Sequence, residues 1–440
     1  MQKKPLKVAM ICHFSNPKVQ QKLKLKVGLL EYIARKIKRL PTDPRKFIGE
    51  YSIHVTNAIE EFAKVKDEIE LHLISPHCNM NPKIQEFDID GIHYHFFQDE
   101  DRESLARIKR RFCKSSEFPQ YIRNRQRIAS FMERIKPDIV NMIGIECPFY
   151  SMAAFDVPKN VPLVVQLQTL MCDPSFEKNY PISHEMYLYR SSVEKKVIKR
   201  ADYVGTAIEK MKNIIVRDVK PDAIFLKAKL AIGEKIFDKD VEKKFDFVYY
   251  AADISKAFDL ALEGFAIAHV QNPDITLLVV GNYDVEYKNK MDSRIKELGL
   301  GNSITFTGRL PTHDDVLKKI RESRFALIPL KIDIVSGTIR ESLANGLPVI
   351  TTITEGGTPM LNEIRETVLL SPIGDHDALA SNMLRLLNEP ELVMRLKKNG
   401  YMRIQERYSN TAFVQQHKRA LLAAYENFTK GTPISQDILS

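Results

Sequence analysis

Two acids, two hydroxyls and a glycine fall close together in the stretch FALIPLKIDIVSGTIRESLANGLPVITTITEGGTP (325–359). The tripeptide Ser336-Gly337-Thr338 offers two hydroxyls and a glycine that lets a ligand approach the backbone closely. If a helix starts there, its unpaired N–H groups add the partial positive charge that holds a phosphate. Asp333 and Glu341 flank the tripeptide in an Asp-x7-Glu spacing. A carboxylate accepts two hydrogen bonds from a vicinal diol, so one acid could hold a ribose and the other a sugar ring beyond a diphosphate. The competing reading makes Ser336 a simple helix cap and Glu341 a solvated helix residue.

Such a site needs a strand before it and a helix after it. The buried run FALIPL (325–330) reads as the strand, and the helix is expected to begin near Ser336–Thr338, so the loop between them lies where open α/β sheets bind ligands. The same alternation runs through the chain. KVAMIC (7–12), IELHLIS (69–75), IHYHFF (92–97), DIVNMIGI (138–145), PLVVQL (162–167) and DYVGTA (202–207) read as strands separated mostly by helical segments. A charged stretch over 227–244 interrupts the pattern and is read as a linker. The alternation restarts at FDFVYYA (245–251) and continues through ITLLVVG (275–281), SITFTG (303–308), FALIPL, PVITT (348–352) and TVLLSP (367–372). Strands alternating with helices imply parallel, doubly wound sheets. Two Rossmann-like domains are therefore expected, at 1–240 and 241–408. A last helix over 409–428 within the 409–440 tail is expected to pack back on the first domain.

Composition excludes several classes. No apolar run reaches the roughly 20 residues of a membrane span, and no cleavage signal follows the basic start, so a cytoplasmic protein is expected. The five cysteines are scattered without a C-x-x-C pair, which reads as reduced thiols and leaves no structural zinc site in view. The net charge of +10 is concentrated in the first third: ten Lys/Arg against two acids over Lys18–Lys46, and nine against two over Arg102–Arg127. In the first of these segments Lys22, Lys24 and Lys26 precede GLLEYIARKIKRL, which mixes apolar and basic residues at helical spacing. Such a face can rest on an anionic membrane surface, although most charge runs are merely solvated. Nucleic acid is not expected, because neither segment carries a binding motif for it.

The 325–359 stretch resembles the retaining glycosyltransferases of family 4, marked by Glu-x7-Glu, then Glu-Ala-Met-Ala-x-Gly-x-Pro-Val, then a Gly-Gly turn. Here these read Asp333 through Glu341, Ser342 through Ile350, and Gly356-Gly357. More weakly, Ala252-Asp253-Ile254-Ser255-Lys256 falls where the family has Gly-Arg-x-x-Lys-Gly, and ITFTGRL (304–310) matches a later strand end. The resemblance implies the GT-B fold, two Rossmann-like domains facing a central cleft, with the acceptor in the first and a nucleotide diphosphate sugar in the second. It implies that Lys256 neutralises the diphosphate, Glu341 binds the ribose, Asp333 faces the transferred sugar, the amides of Ser336, Gly337 and Thr338 hold phosphate, and Gly308 and Leu310 meet the base. Retention at the anomeric carbon follows from the resemblance alone. Three positions depart from the pattern: Asp253 replaces an arginine, Asp333 is a methylene shorter than the usual Glu, and the histidine expected after PLVVQL is replaced by Gln166 or Gln168, of which Gln168 is preferred as catalytic.

No Asp-x-Asp motif is read as a metal site, so the growing charge of the leaving diphosphate is expected to be met by Lys256 and helix-terminal amides, with no metal and no cofactor. On the acceptor side, His13 and Glu146 follow strands and are candidate ligands for a glycan or lipid-linked acceptor. The enzyme would then work in polysaccharide or glycolipid biosynthesis, in the cytoplasm or peripherally on the inner membrane face. Two alternatives share this architecture: a nucleotide-sugar epimerase, and a catalytically silent binding or regulatory protein.

Overall fold

The computed structural model describes residues 4–46, 48–81, 83–100, 118–179, 182–206, 208–227, 241–250, 257–281, 285–331, 336–355, 357–407 and 409–440. The chain forms two compact units. One comprises Met1–Glu177, Ile182–Ala231 and Asn410–Ser440; the other comprises Lys178–Pro181 and Ile232–Ser409. Among the described residues no helix is long and apolar enough to cross a membrane.

The first unit is built on β1 (Leu6–Ile11), β2 (Ile69–His77), β3 (Ile84–Ile89), β4 (Ile92–Gln98), β5 (Ile139–Ile143), β6 (Leu163–Gln166), β7 (Tyr203–Gly205) and β8 (Phe225–Leu226). Their order in the sheet is β3-β4-β2-β1-β5-β6-β7-β8, and every pair but β3–β4 is parallel. β1 and β5 are apolar and buried nearly throughout, as strands covered on both faces must be. β3 and β8 were not expected. β3 pairs antiparallel with β4 through Asp90-Gly91, both at positive φ (55° and 83°), the conformation a tight two-residue hairpin requires. The end of β3 and this turn carry an Asp-x-Asp triplet between two strands, Asp88-Ile89-Asp90; Asp88 is bound to His93 (2.7 Å) and Asp90 faces Lys18 (3.6 Å).

The carboxy-terminal helix, Asn410–Lys430, belongs to this unit. Phe413, Val414, Leu421 and Ala424 join Leu6, Val8 and Met10 in one apolar core. Polar contacts fix its register: His417 Nε2 lies 2.9 Å from the Asn141 amide, Lys418 pairs with Glu68 at 2.7 Å, and the Tyr203 hydroxyl meets Asn427 at 2.7 Å.

The second unit carries β9 (Phe245–Tyr250), β10 (Leu277–Val280), β11 (Ile304–Phe306), β12 (Ser323–Leu327), β13 (Val349–Thr352) and β14 (Leu369–Ser371), in the order β11-β10-β9-β12-β13-β14. All pairs are parallel. Strand order reverses between β9 and β12, which makes the gap beside their carboxyl ends the switch point of the sheet. In the first unit the corresponding reversal lies between β1 and β5. Both units are α/β and doubly wound, as their strand–helix alternation implied.

Candidate active site

In the second unit the described candidate donor residues follow the carboxyl ends of the strands. The Gly337–Ala344 helix follows β12, with Ser336 at its cap position. Ser336 makes no capping bond; its hydroxyl lies 2.7 Å from that of Thr338, so the two hydroxyls satisfy each other. The first turn is pinned from behind. Tyr250, the last residue of β9, donates to Thr338 O (2.5 Å) and lies 2.9 Å from Ser342 Oγ, which itself donates to Thr338 O (2.9 Å). Burial, reinforced by the charge of Glu341, pushes the Tyr250 phenol well above its ordinary pKa, so it stays a neutral donor. These contacts cross the switch point from β9 to the helix after β12. They hold in place a helix N-terminus whose first N–H groups have no intrahelical acceptor.

Glu341 is not a solvated helix residue. It is 7% exposed, and its carboxylate stands 3.0 Å from His313 Nε2. His313 opens the His313–Ile320 helix, fixed by a capping box in which Thr312 and Asp315 bond each other's backbone. Lys331, just beyond β12, reaches across the switch point to Asp259 at the start of the Phe258–Gln271 helix (2.5 Å). Gly308 follows β11 with φ +66° and open space where a Cβ would be, and its carbonyl accepts from Gly281 N (3.2 Å). Leu310 packs against the core below. The loop after β13 is closed by a hydroxyl knot: Thr354 and Thr358 exchange N–H to Oγ1 bonds (3.0 Å each), and Thr358 Oγ1 donates to Thr352 O (2.6 Å).

Lys256, Asp253, Asp333 and Gly356 lie outside the described residues, as does most of the 227–244 stretch. Ala257, immediately after Lys256, is fully buried with φ +45°, an unfavourable conformation for a residue with a Cβ.

In the first unit, His13, Glu146 and Gln168 are positioned by the loops after β1, β5 and β6. Gly144, at φ +71°, is their meeting point: a Cβ placed there would lie 2.9 Å from Tyr150 Oη and 3.0 Å from both Gln168 Nε2 and Glu146 Oε1. Gln168 Nε2 donates to His54 Nε2 (2.5 Å). His54 reaches this place because Tyr51 exchanges backbone bonds with Ser15 and Ser52 then turns the chain at φ +54° into the Ile53–Phe62 helix. Behind the Gln168 loop, the Glu194 carboxylate accepts from Met171 N (3.0 Å) and Cys172 N (2.8 Å); burial pushes its pKa up to about 7 despite these bonds.

His13 is not a solvated loop residue. Its ring lies 4.4 Å from Tyr51 and 4.9 Å, edge-on, from Phe149. Burial, aided by His77, pushes its pKa down to about 4, so the imidazole is neutral at physiological pH. Burial also raises the carboxyl of Glu146, whose Oε2 has no hydrogen-bond partner. The cluster is thus polar and weakly charged.

Sequence reasoning missed His54, Tyr150, His313, Lys331 and Glu194. His313 was within reach, since Thr312-x-x-Asp315 announces a helix start. His54 was not, because its partner lies 114 residues away.

Comparison with known proteins bears on what these clusters serve. Residues 233–403 match the family described as Glycosyl transferases group 1. No curated protein sequence is significantly similar to the chain. Among solved structures, sucrose-phosphate synthase from Thermosynechococcus elongatus superposes with a TM-score of 0.66 at 18% identity, over 94% of this chain and 97% of that one. HepE from Anabaena, solved with UDP and glucose, gives 0.63 at 13% identity over 95% and 100%. A glycosyltransferase from Rickettsia africae gives 0.60 at 13% over 98% and 100%. At these identities the likeness establishes the fold, which is GT-B.

Proposed function

Residues 233–403 belong to the glycosyl transferases group 1, and from that premise we propose that this glycosyltransferase moves a sugar, with retention and without a metal, from a nucleotide diphosphate sugar to an acceptor hydroxyl. The observation that carries the proposal is the buried Glu341 beside a pinned helix N-terminus at the switch point of the second unit. There the Ser336–Thr338 amides take the diphosphate, Glu341 the ribose diol, Asp333 the sugar, and the backbone at Gly308 and Leu310 the base. Lys256 and the described cation Lys331 offset the charge that grows on the leaving diphosphate, which would otherwise need a metal. Lys331 supplies part of what the Asp253 position lacks.

The acceptor belongs to the first unit. His13 is neutral, the carboxyl of Glu146 is raised, and Gln168 and Tyr150 are uncharged, a set that suits a neutral hydroxyl group. Gln168 is the group assigned to the reacting sugar. A glycan or lipid-linked acceptor at the cytoplasmic face of a membrane fits a further feature. The Leu29–Ile37 helix exposes Leu29 (73%), Ile33 (46%) and Ile37 (78%), followed by Leu40, among Arg35, Lys36, Lys38 and Arg39. These apolar positions recur at helical spacing with cations beside them, which is how an interfacial helix is built.

A calorimetric screen of UDP-, GDP- and ADP-sugars tests the donor assignment. Saturable binding of at least one, followed by EDTA-insensitive transfer to a sugar hydroxyl, is expected. No binding of any would sink the donor site and favour a silent protein; conversion of the donor alone would make the chain an epimerase. For the membrane, the double variant Ile33→Asp/Ile37→Asp is expected to lower partition onto phosphatidylglycerol vesicles about tenfold or more. Equal sedimentation of wild type and variant would remove membrane docking from the proposal.

A further inference from the structure

A cluster that the proposed reaction does not use lies on the outer part of the first unit's sheet. Glu70 and His72 alternate on β2, His93 and His95 on β4, and Glu86 and Asp88 on β3. The register places His72 beside His93, Asp88 opposite His93 and Glu86 opposite His95. Because side chains two apart share a face, all six project from one side of the three strands. The His72 ring stacks on His93 at 4.6 Å and on His95 at 5.3 Å.

The hydrogen-bond geometry sets the tautomers. His93 Nδ1 lies 2.7 Å from Asp88 and His95 Nδ1 lies 2.6 Å from Glu86. A carboxylate can only accept, so each Nδ1 carries its proton and each Nε2 presents a lone pair. His95 Nε2 is 3.0 Å from His72 Nδ1, and His72 Nε2 is 2.9 Å from Glu70 Oε1. The row Glu86–His95–His72–Glu70 thus contains three contacts that each need a proton, while two neutral imidazoles carry two. One of the two His72 contacts, to His95 Nε2 or to Glu70, is therefore left without a proton; with Nδ1–H donated to His95, the Nε2 lone pair faces the Glu70 carboxylate. His93 brings a third lone pair to the same place: ligand atoms of Glu70, His72 and His93 all lie within 4.8 Å of one another.

We propose that Glu70, His72 and His93 form a binding site for a late first-row divalent metal ion of the zinc type. Two imidazoles and one carboxylate are a donor set for such ions and a poor one for Mg2+ or Ca2+, which take oxygen ligands. Asp88 holds His93 by its other nitrogen, and His95, itself held by Glu86, does the same for His72; this outer layer orients the ligands and raises their basicity. Solvent reaches the site, since the side chains of Glu70 and His93 are 29% and 38% exposed. Lys7 Nζ stands 3.4 Å from Glu70 and also bonds Ile135 O (3.3 Å), so an arriving cation displaces it from one of two partners. The site lies towards the amino-terminal ends of β2 and β4, whereas His13, Glu146 and Gln168 follow the carboxyl ends of their strands. A metal here staples two strands and takes no part in sugar transfer. No cysteine is involved, so the scattered thiols gave no hint of it.

The test uses the full-length protein, stripped with a chelator and titrated with Zn2+ and Co2+. Binding of one equivalent is expected, with a rise of a few degrees in the unfolding midpoint and a weak visible Co2+ spectrum lacking thiolate charge-transfer absorption. His72→Gln and His93→Gln should each weaken binding about 100-fold or more, and Asp88→Asn about 10- to 100-fold. His93 and Asp88 are exposed enough that their variants should fold, which circular dichroism verifies. Absence of saturable binding, a thiolate band, or unchanged affinity in the folded His93→Gln protein would each overturn the proposal.

Discussion

Glu341→Ala is expected to weaken nucleotide-sugar binding by about 10- to 100-fold while the protein remains folded, because a charge-assisted hydrogen bond to a ligand contributes about 1.5–3 kcal/mol. The carboxylate sits on the Gly337–Ala344 helix, buried at 7% exposure and facing His313 across 3.0 Å. Because Glu341 is paired with His313, its loss also costs some stability, about 1–3 kcal/mol, which urea unfolding separates from the loss of binding. Glu341→Gln keeps the volume and one acceptor oxygen and should fall between alanine and wild type. Lys256→Ala separates the two proposed roles: affinity should fall modestly, while kcat drops about 100- to 1,000-fold, because that cation is assigned to charge that develops only in the transition state. Calorimetry and single-turnover kinetics on the three variants read these outcomes. Wild-type affinity in Glu341→Ala would remove the ribose role from this residue.

Gly144→Ala should abolish the first unit's cluster. At φ +71° an L-residue with a Cβ pays about 1–2 kcal/mol. The added methyl also meets three polar atoms at 2.9–3.0 Å, and two of them cannot swing away freely. Tyr150 Oη faces the carbonyls of Ile143 and Gly144, and Gln168 is held by His54. Displacing them adds a packing cost of about 1–3 kcal/mol. The variant is expected to lose roughly 2–5 kcal/mol in urea unfolding and about 100-fold in transfer rate. Nucleotide affinity, which the proposed function assigns to the other unit, should be unchanged. A Gly144→Ala protein with wild-type stability and turnover would show that the meeting of Gln168, Glu146 and Tyr150 carries neither fold nor function.

The two candidate clusters, one in each unit, differ in how far local sequence reaches. Ser336, Thr338, Glu341 and Ser342 ride on one helix after one strand, so their mutual placement follows from chain connectivity and helical pitch. Glu341 reads as ordinary until its burial is known, because a glutamate on a short helix with polar neighbours has the pattern of a surface residue. The first unit's cluster has no such local carrier. His54 and Gln168 are 114 residues apart, and their meeting depends on the Ser15–Tyr51 bridge and the left-handed turn at Ser52. Asp90-Gly91 is a hairpin signal between β3 and β4, but β3 is half-exposed and acidic and lacks the apolar run that marks the other strands.

Sequence by itself determined the alternation of strands and helices, hence two doubly wound sheets, and it determined the strand–turn–helix that carries Ser336, Gly337 and Thr338, because both depend on spacing within a few residues. Only the tertiary structure decided the ionic character of the sites. It made His13 neutral between Tyr51 and Phe149, buried Glu341 against His313, carried Lys331 to Asp259 across the switch point, and lined up three histidines from two strands. Burial and charge proximity, which set protonation and ligand geometry, are properties of side chains brought together across the fold, and no local spacing encodes them.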